Sequence, residues 1–152
     1  MNERPVLLLA RKWWHLSRDE HVALVQAALA VPAVALSLRV IGFNRVHRWL
    51  ERASARRGAP QPPAEAVVRI SVLSLNRVKH YSLFRGNCLS QSLALAWLLR
   101  RRGLTPTLRL GVRRPGPRLD AHAWVEFEGR VLNDTEDVHT RFAPLSARPE
   151  SR

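Results

Sequence analysis

The stretch Arg85-Gly86-Asn87-Cys88-Leu89-Ser90-Gln91-Ser92-Leu93-Ala94-Leu95, running on to Arg102-Gly103, decides how this chain is read. Gly86-Asn87 is turn chemistry, and Asn87 is a good N-cap because its side-chain oxygen can accept from the orphaned N–H groups of a first helical turn. Leu89, Leu93, Ala96 and Leu99 or Arg100 follow at spacings of three and four, the period of one helical face. Arg100, Arg101 and Arg102 then put positive charge at the negative end of the helix dipole, and Gly103 is the residue type most often found just past a helix end. The only cysteine, Cys88, therefore falls in the first turn of a predicted helix. There the unpaired N–H groups and the positive end of the dipole favour thiolate, the reactive form of sulfur. Cys88 also fits a plainer role as a small apolar side chain in a core, since free cysteine is among the most often buried residue types.

A second stretch, Ala121-His122-Ala123-Trp124-Val125-Glu126 with Asn133-Asp134 behind it, separates these roles. Ala121, Ala123, Val125 and Phe127 alternate with His122, Trp124 and Glu126, Gly129 breaks the run, and Val131 to Asp134 resumes it, which is a hairpin pattern. A three-residue loop, Phe127-Glu128-Gly129, pairs Glu126 with Arg130 and so His122 with Asp134, on one face and in reach of each other. A two-residue Glu128-Gly129 turn would shift pairing by one and send the two to opposite faces. The three-residue loop is the expectation adopted. An imidazole can then take the thiol proton while a carboxylate on its other nitrogen fixes the tautomer.

The whole set comprises a cysteine followed by Leu-x-x-Ser-Leu-Ala-Leu, a helix ending Leu-Leu-Arg-Arg-Arg-Gly, a strand Leu-Arg-Leu-Gly-Val, then Ala-His-Ala-Trp-Val-Glu and an aspartate twelve residues after the histidine. This set resembles the transglutaminase-like cysteine peptidases of lasso-peptide biosynthesis, over about Arg85 to Asp134. The resemblance implies removal of the leader from a ribosomally made lasso precursor peptide by a catalytic triad, whose roles fall on Cys88, His122 and Asp134. It implies a split form as well, in which a separate leader-binding recognition protein presents the precursor and an asparagine-synthetase-like macrolactam cyclase closes the ring. Gln91 departs from the family pattern, which commonly has a basic residue there.

The fold expected is α+β: a papain-like or transglutaminase-like peptidase core, its cysteine helix packed on a small antiparallel sheet, preceded by helices. Residues 1–52 read as a helical N-terminal segment, 53–66 as a proline-rich linker, 67–142 as the peptidase domain and 143–152 as a flexible tail. Ser17-Arg18-Asp19-Glu20 is a capping box before the uncharged run Val22 to Leu38, which Pro32 is expected to kink or divide, a second helix running from Ala33 toward Leu50. Such a run raises the question of a membrane. Packing on the peptidase core is favoured over surface association through residues 22–50, and that over spanning. After the linker, a helix is expected from about Ala64 to His80, with Pro63 at its start.

At 46% hydrophobic and 24% charged, the composition is globular rather than disordered. A lone cysteine and no cleavable signal pattern point to the cytoplasm, with association at the membrane left open. The net charge of +13, from 25 basic against 12 acidic residues, favours anionic partners without choosing among them. Nucleic-acid binding would rest on charge alone, since the aromatic-plus-basic signature of a recognised module is missing. No paired-cysteine or His-x-x-x-His spacing supports a metal, no glycine-rich phosphate loop occurs, and no cofactor is expected. A non-catalytic or acyl-transferring scaffold of the same fold remains the alternative to a hydrolase.

Overall fold

A capping box opens the first described element. Ser17 N–H donates to Glu20 Oε2 at 2.9 Å and Glu20 N–H donates to Ser17 Oγ at 3.3 Å, satisfying two groups that a helix start would otherwise leave bare. The computed structural model describes residues 17–54, 63–81 and 86–145. Helix α1 spans Arg18–Ile41, α2 Phe43–Ser54, α3 Ala64–Tyr81 and α4 Cys88–Arg100. Strands β1 (Thr107–Arg113), β2 (Asp120–Phe127) and β3 (Arg130–Val131) follow, then a short helix α5 (Val138–Arg141) and β4 (Ala143–Pro144).

Pro32 does not divide α1, contrary to the expectation from sequence. The helix runs through it as one element of 24 residues and stops at Gly42, whose φ is 79°. A proline costs its own N–H bond and crowds the carbonyl four residues earlier, here that of Ala28. Ala28 lies on the exposed side, where that carbonyl can tilt outward. The expected helix over 64–80 is α3, one residue longer and led by Pro63. Most of the expected linker, residues 55–62, lies outside the described residues, as does the chain beyond 145.

The four strands form one antiparallel sheet in the order β3-β2-β1-β4. The inner face of β2, through Ala123, Val125 and Phe127, meets α4, and behind α4 stand α1 and α3. One cluster runs through all of them: Val31 of α1, Val67 and Leu75 of α3, Leu95 and Leu98 of α4, and Val125 of β2 are each at most 1% exposed. Burying each such side chain contributes about 1.5–3 kcal/mol. Helix α2 closes the other flank, where Val46 and Leu50 meet Val34 of α1 and Leu93 of α4.

The outer face of the sheet holds a smaller core of Trp124, Val138 and Phe142. Gly111, paired with His122 across the β1–β2 ladder, makes room for it. A Cβ there would stand 2.8 Å from both Phe142 Cβ and Trp124 Cζ3, so any larger residue must push the two aromatics aside. Ala143 and Pro144 sit beyond the expected domain end at 142, yet they pair with Val112 and Gly111 and so extend the sheet. Proline is tolerated there because this is an edge.

Candidate active site

Cys88 stands where the sequence puts it, in the first turn of α4 and half-buried. Asn87 caps the helix in extended backbone (φ −94°, ψ 172°): Ser90 N–H donates to Asn87 Oδ1 at 2.8 Å, and Asn87 N–H donates to Ser90 Oγ at 3.1 Å. Gly86 lets the chain enter this cap. Its φ is 61°, a conformation that favours glycine, and a Cβ would fall 2.5 Å from Ser90 Oγ and 3.0 Å from Val31 Cγ1 of α1. The cap engages the N–H groups of Asn87 and Ser90, and Gln91 N–H bonds the Asn87 carbonyl. The Cys88 N–H is not among these.

His122 and Asp134 are brought together, His122 Nε2 bonding Asp134 Oδ2, but not by the register expected. The hairpin has the two-residue turn: Phe127 pairs with Arg130 and Glu126 with Val131, with Glu128 (φ 50°) and Gly129 (φ 77°) both left-handed at its tip. Continued strictly, that register would set Asp134 opposite Ala123, on the wrong face. The ladder ends first. Leu132 N–H still bonds the Val125 carbonyl at 2.9 Å, but the return bond comes from a side chain: Val125 N–H donates to Asn133 Oδ1 at 2.8 Å. With Asn133 standing in for a backbone carbonyl, the chain turns out of the sheet and delivers Asp134 to the His122 face.

The same asparagine ties the sheet to the cysteine helix. Asn133 Nδ2 donates to Ser92 Oγ at 2.8 Å, and the Ser92 hydroxyl donates to the Ala123 carbonyl at 2.9 Å. Ser92 lies one turn after Cys88 on the same side of α4, and Ala123 adjoins His122. The far end of α4 folds back through Leu104 N–H to the Leu99 carbonyl, near Thr107, which pairs with Glu126 at the far end of β2. Cys88 and His122 thus occupy the same end of the α4–β2 layer. Among the described residues no hydrogen bond joins the sulfur to the imidazole, and Nδ1 is the ring nitrogen that Asp134 does not hold.

Arg141, Thr135 and Phe142, which belong to no motif, complete the arrangement. Arg141 donates from Nη2 to Asp134 Oδ1 at 2.6 Å, and Thr135 N–H donates to the same oxygen at 2.7 Å. Phe142 stacks on the His122 ring with centroids 4.9 Å apart, and Arg113 lies over Phe142 at 4.8 Å. Their one sequence signal is the i,i+4 spacing of Asp137 and Arg141, which form an ion pair. Nearby, Glu136 accepts from Val131 N–H, His139 pairs with Glu126, and His80 is exposed at the end of α3.

Burial pushes the Asp134 carboxyl up, but the Thr135 N–H, the His122 ring and the Arg141 guanidinium outweigh it and hold the group below its ordinary value of 3.8. A carboxyl lowered on folding contributes stability that is present above its unfolded value and lost as pH falls through the folded one. Arg141→Gln removes one cause. At neutral pH the variant is expected to have a lower urea midpoint than the parent, with the gap closing as pH falls through the Asp134 value. A gap that is independent of pH would show that Arg141 acts on something other than this carboxylate. Glu126 is likewise held low: burial raises it, and Trp124 Nε1–H, Arg109 and His139 more than compensate. Among the described residues, no group of three or more His, Cys, Asp or Glu is placed to hold a metal.

Comparison with known proteins places the chain in a family. Microcin J25-processing protein McjB of Escherichia coli is 29% identical over 82 residues, which is 54% of this chain and 38% of that protein. The chain therefore matches well under half the length of that relative. No solved structure matches. The sequence model of the transglutaminase-like superfamily matches residues 30–147, from the middle of α1 past β4, taking in Cys88, His122 and Asp134. A cysteine-led helix on a small antiparallel sheet, a His-Asp pair on the outer face of that sheet, and a family match over most of the chain have one reading: this protein belongs to the transglutaminase-like superfamily.

Proposed function

We propose that the protein is a cysteine peptidase that removes the leader from a ribosomally made lasso precursor peptide. The observation that carries the reading is the His122–Asp134 contact, at the same end of the α4–β2 layer as the helix turn that holds Cys88. The likeness to a protein named for processing microcin J25 supports the substrate class.

In this reading Asp134 holds Nε2 of His122, and Nδ1 takes the proton from the Cys88 thiol. Sulfur attacks the carbonyl at the leader–core junction, and the oxyanion is met by N–H groups at the start of α4, that of Cys88 included. His122 returns the proton to the departing amine of the core peptide, leaving the leader as a thioester on Cys88. Water, deprotonated by His122, then releases the leader carboxylate and the thiol. Catalytic hydrogen bonds often tighten only in the substrate complex, so sulfur and imidazole are expected to close on each other when peptide is bound. A leader-binding protein would present the precursor, and an asparagine-synthetase-like cyclase would consume the freed amine.

Hydrolysis and acyl transfer share that thioester and differ in what resolves it. Incubating precursor and leader-binding partner with the protein in ¹⁸O-water should put one heavy oxygen into the released leader carboxylate. A leader carrying an amide instead, with no label, would make the protein an acyl transferase, and an intact precursor would remove the peptidase reading.

A further inference from the structure

From Val22 to Leu38 helix α1 carries no charge, yet only one side of it is covered. Ala23, Ala27, Ala30, Val31 and Val34 are buried against α3, α4 and α2. At 100° per residue the opposite face carries Val22, Val25, Leu29, Leu36 and Val40, which are 51%, 51%, 68%, 63% and 72% exposed. Five large aliphatic side chains in line over some five turns form a contiguous patch, and a patch of that kind marks an interaction site. By length and composition α1 could cross a membrane, but its inner face is occupied by the protein core, so it has one face to give.

The charges around the stripe indicate what covers it. Arg18 heads it and Arg39 flanks its other end. The two acids of α1 lie off it, Glu20 being turned into its capping box. Helix α2, which follows directly, turns Arg45, Arg48, Arg52 and Trp49 outward, the last 61% exposed. A second copy docked by the same stripe would bring arginine-flanked ends of two chains, each of net charge +13, against one another in either orientation. An in-plane helix with aliphatic residues toward the acyl chains and arginines at headgroup level meets opposite charge instead. We propose that the outer face of α1 seats the protein on the surface of an anionic lipid bilayer. The inference stands apart from the peptidase reading, because no site residue lies on that face.

Co-sedimentation of the full chain with vesicles tests it. The protein should pellet with phosphatidylcholine vesicles containing phosphatidylglycerol, and added salt should weaken the binding. The triple variant Leu29→Gln, Leu36→Gln, Val40→Gln should lower the partition coefficient at least about tenfold. Its melting temperature should stay near the parent's, since all three side chains are exposed. The proposal is overturned if the parent stays in the supernatant with anionic vesicles at low salt, or if the folded variant pellets equally well. A parent dimer that the variant converts to monomer would assign the stripe to a second copy and overturn it too.

Discussion

Cys88→Ala is expected to lower leader release by at least about 10³-fold, because in the proposed triad the nucleophile acts as a unit with its base and its loss leaves little behind. The change removes one sulfur from a half-buried position at a helix start whose cap is made by Asn87 and Ser90, so the fold should remain within about 1 kcal/mol of the parent. His122→Ala should lose comparable activity, since the imidazole is the proposed acceptor of the thiol proton. Single-turnover cleavage of precursor in the presence of its leader-binding partner measures both. Cleavage by a folded Cys88→Ala variant at the parent rate would leave a transglutaminase-like scaffold with some other chemistry.

Asn133→Ala should be the most damaging substitution outside the proposed triad. It leaves the Val125 N–H, on a residue with 0% exposure, without its acceptor and removes the donor to the buried Ser92 hydroxyl. Orphaning the Val125 N–H costs about 1–3 kcal/mol and the lost bond to Ser92, whose hydroxyl keeps the Ala123 carbonyl, about 0.5–1.5 kcal/mol more, so a loss of roughly 1.5–4.5 kcal/mol is expected by urea unfolding. Activity should fall further than stability alone explains. Without the asparagine the hairpin can continue its two-residue register, and Asp134 then rotates away from His122. Ser92→Ala is the informative companion: it cuts the tie to α4 but keeps the Val125–Asn133 bond. A Ser92→Ala variant that retains activity beside an inactive, folded Asn133→Ala would assign the effect to the strand exit rather than to helix docking.

The hairpin shows how far the sequence could be read. Alternation along 121–127 marks the strand and its inner face, and turn residues mark the loop, but the expected loop has three residues where two are used. The His122–Asp134 contact forms nonetheless, because β3 stops after Val131, and alternation carries no mark of where a ladder stops. The stop is made by one amide group reaching Val125 and Ser92, and a side-chain bond of that kind leaves no period to detect. Arg141 and Phe142 escaped for a similar reason, since α5 is a helix of four residues, too short to display a face. The α4 helix was legible end to end because cap, period and stop all lie within its own residues. At Pro32 the local rule was overridden: packing on both α3 and α4 carries α1 through the proline to Gly42.

The close approach of Val31 to Gly86 has a mechanical corollary. The methyl of Val31 occupies the ground where any other residue at 86 would place its first carbon, 3.0 Å away, so α1 is the back wall of the loop that aims the sulfur. A tilt of α1 of a few tenths of an ångström must either press on that loop or part from it, because packed interiors have no slack to absorb the motion. Whatever leans on the helix from outside therefore presses, through the thickness of a single side chain, on the turn that leads into Cys88.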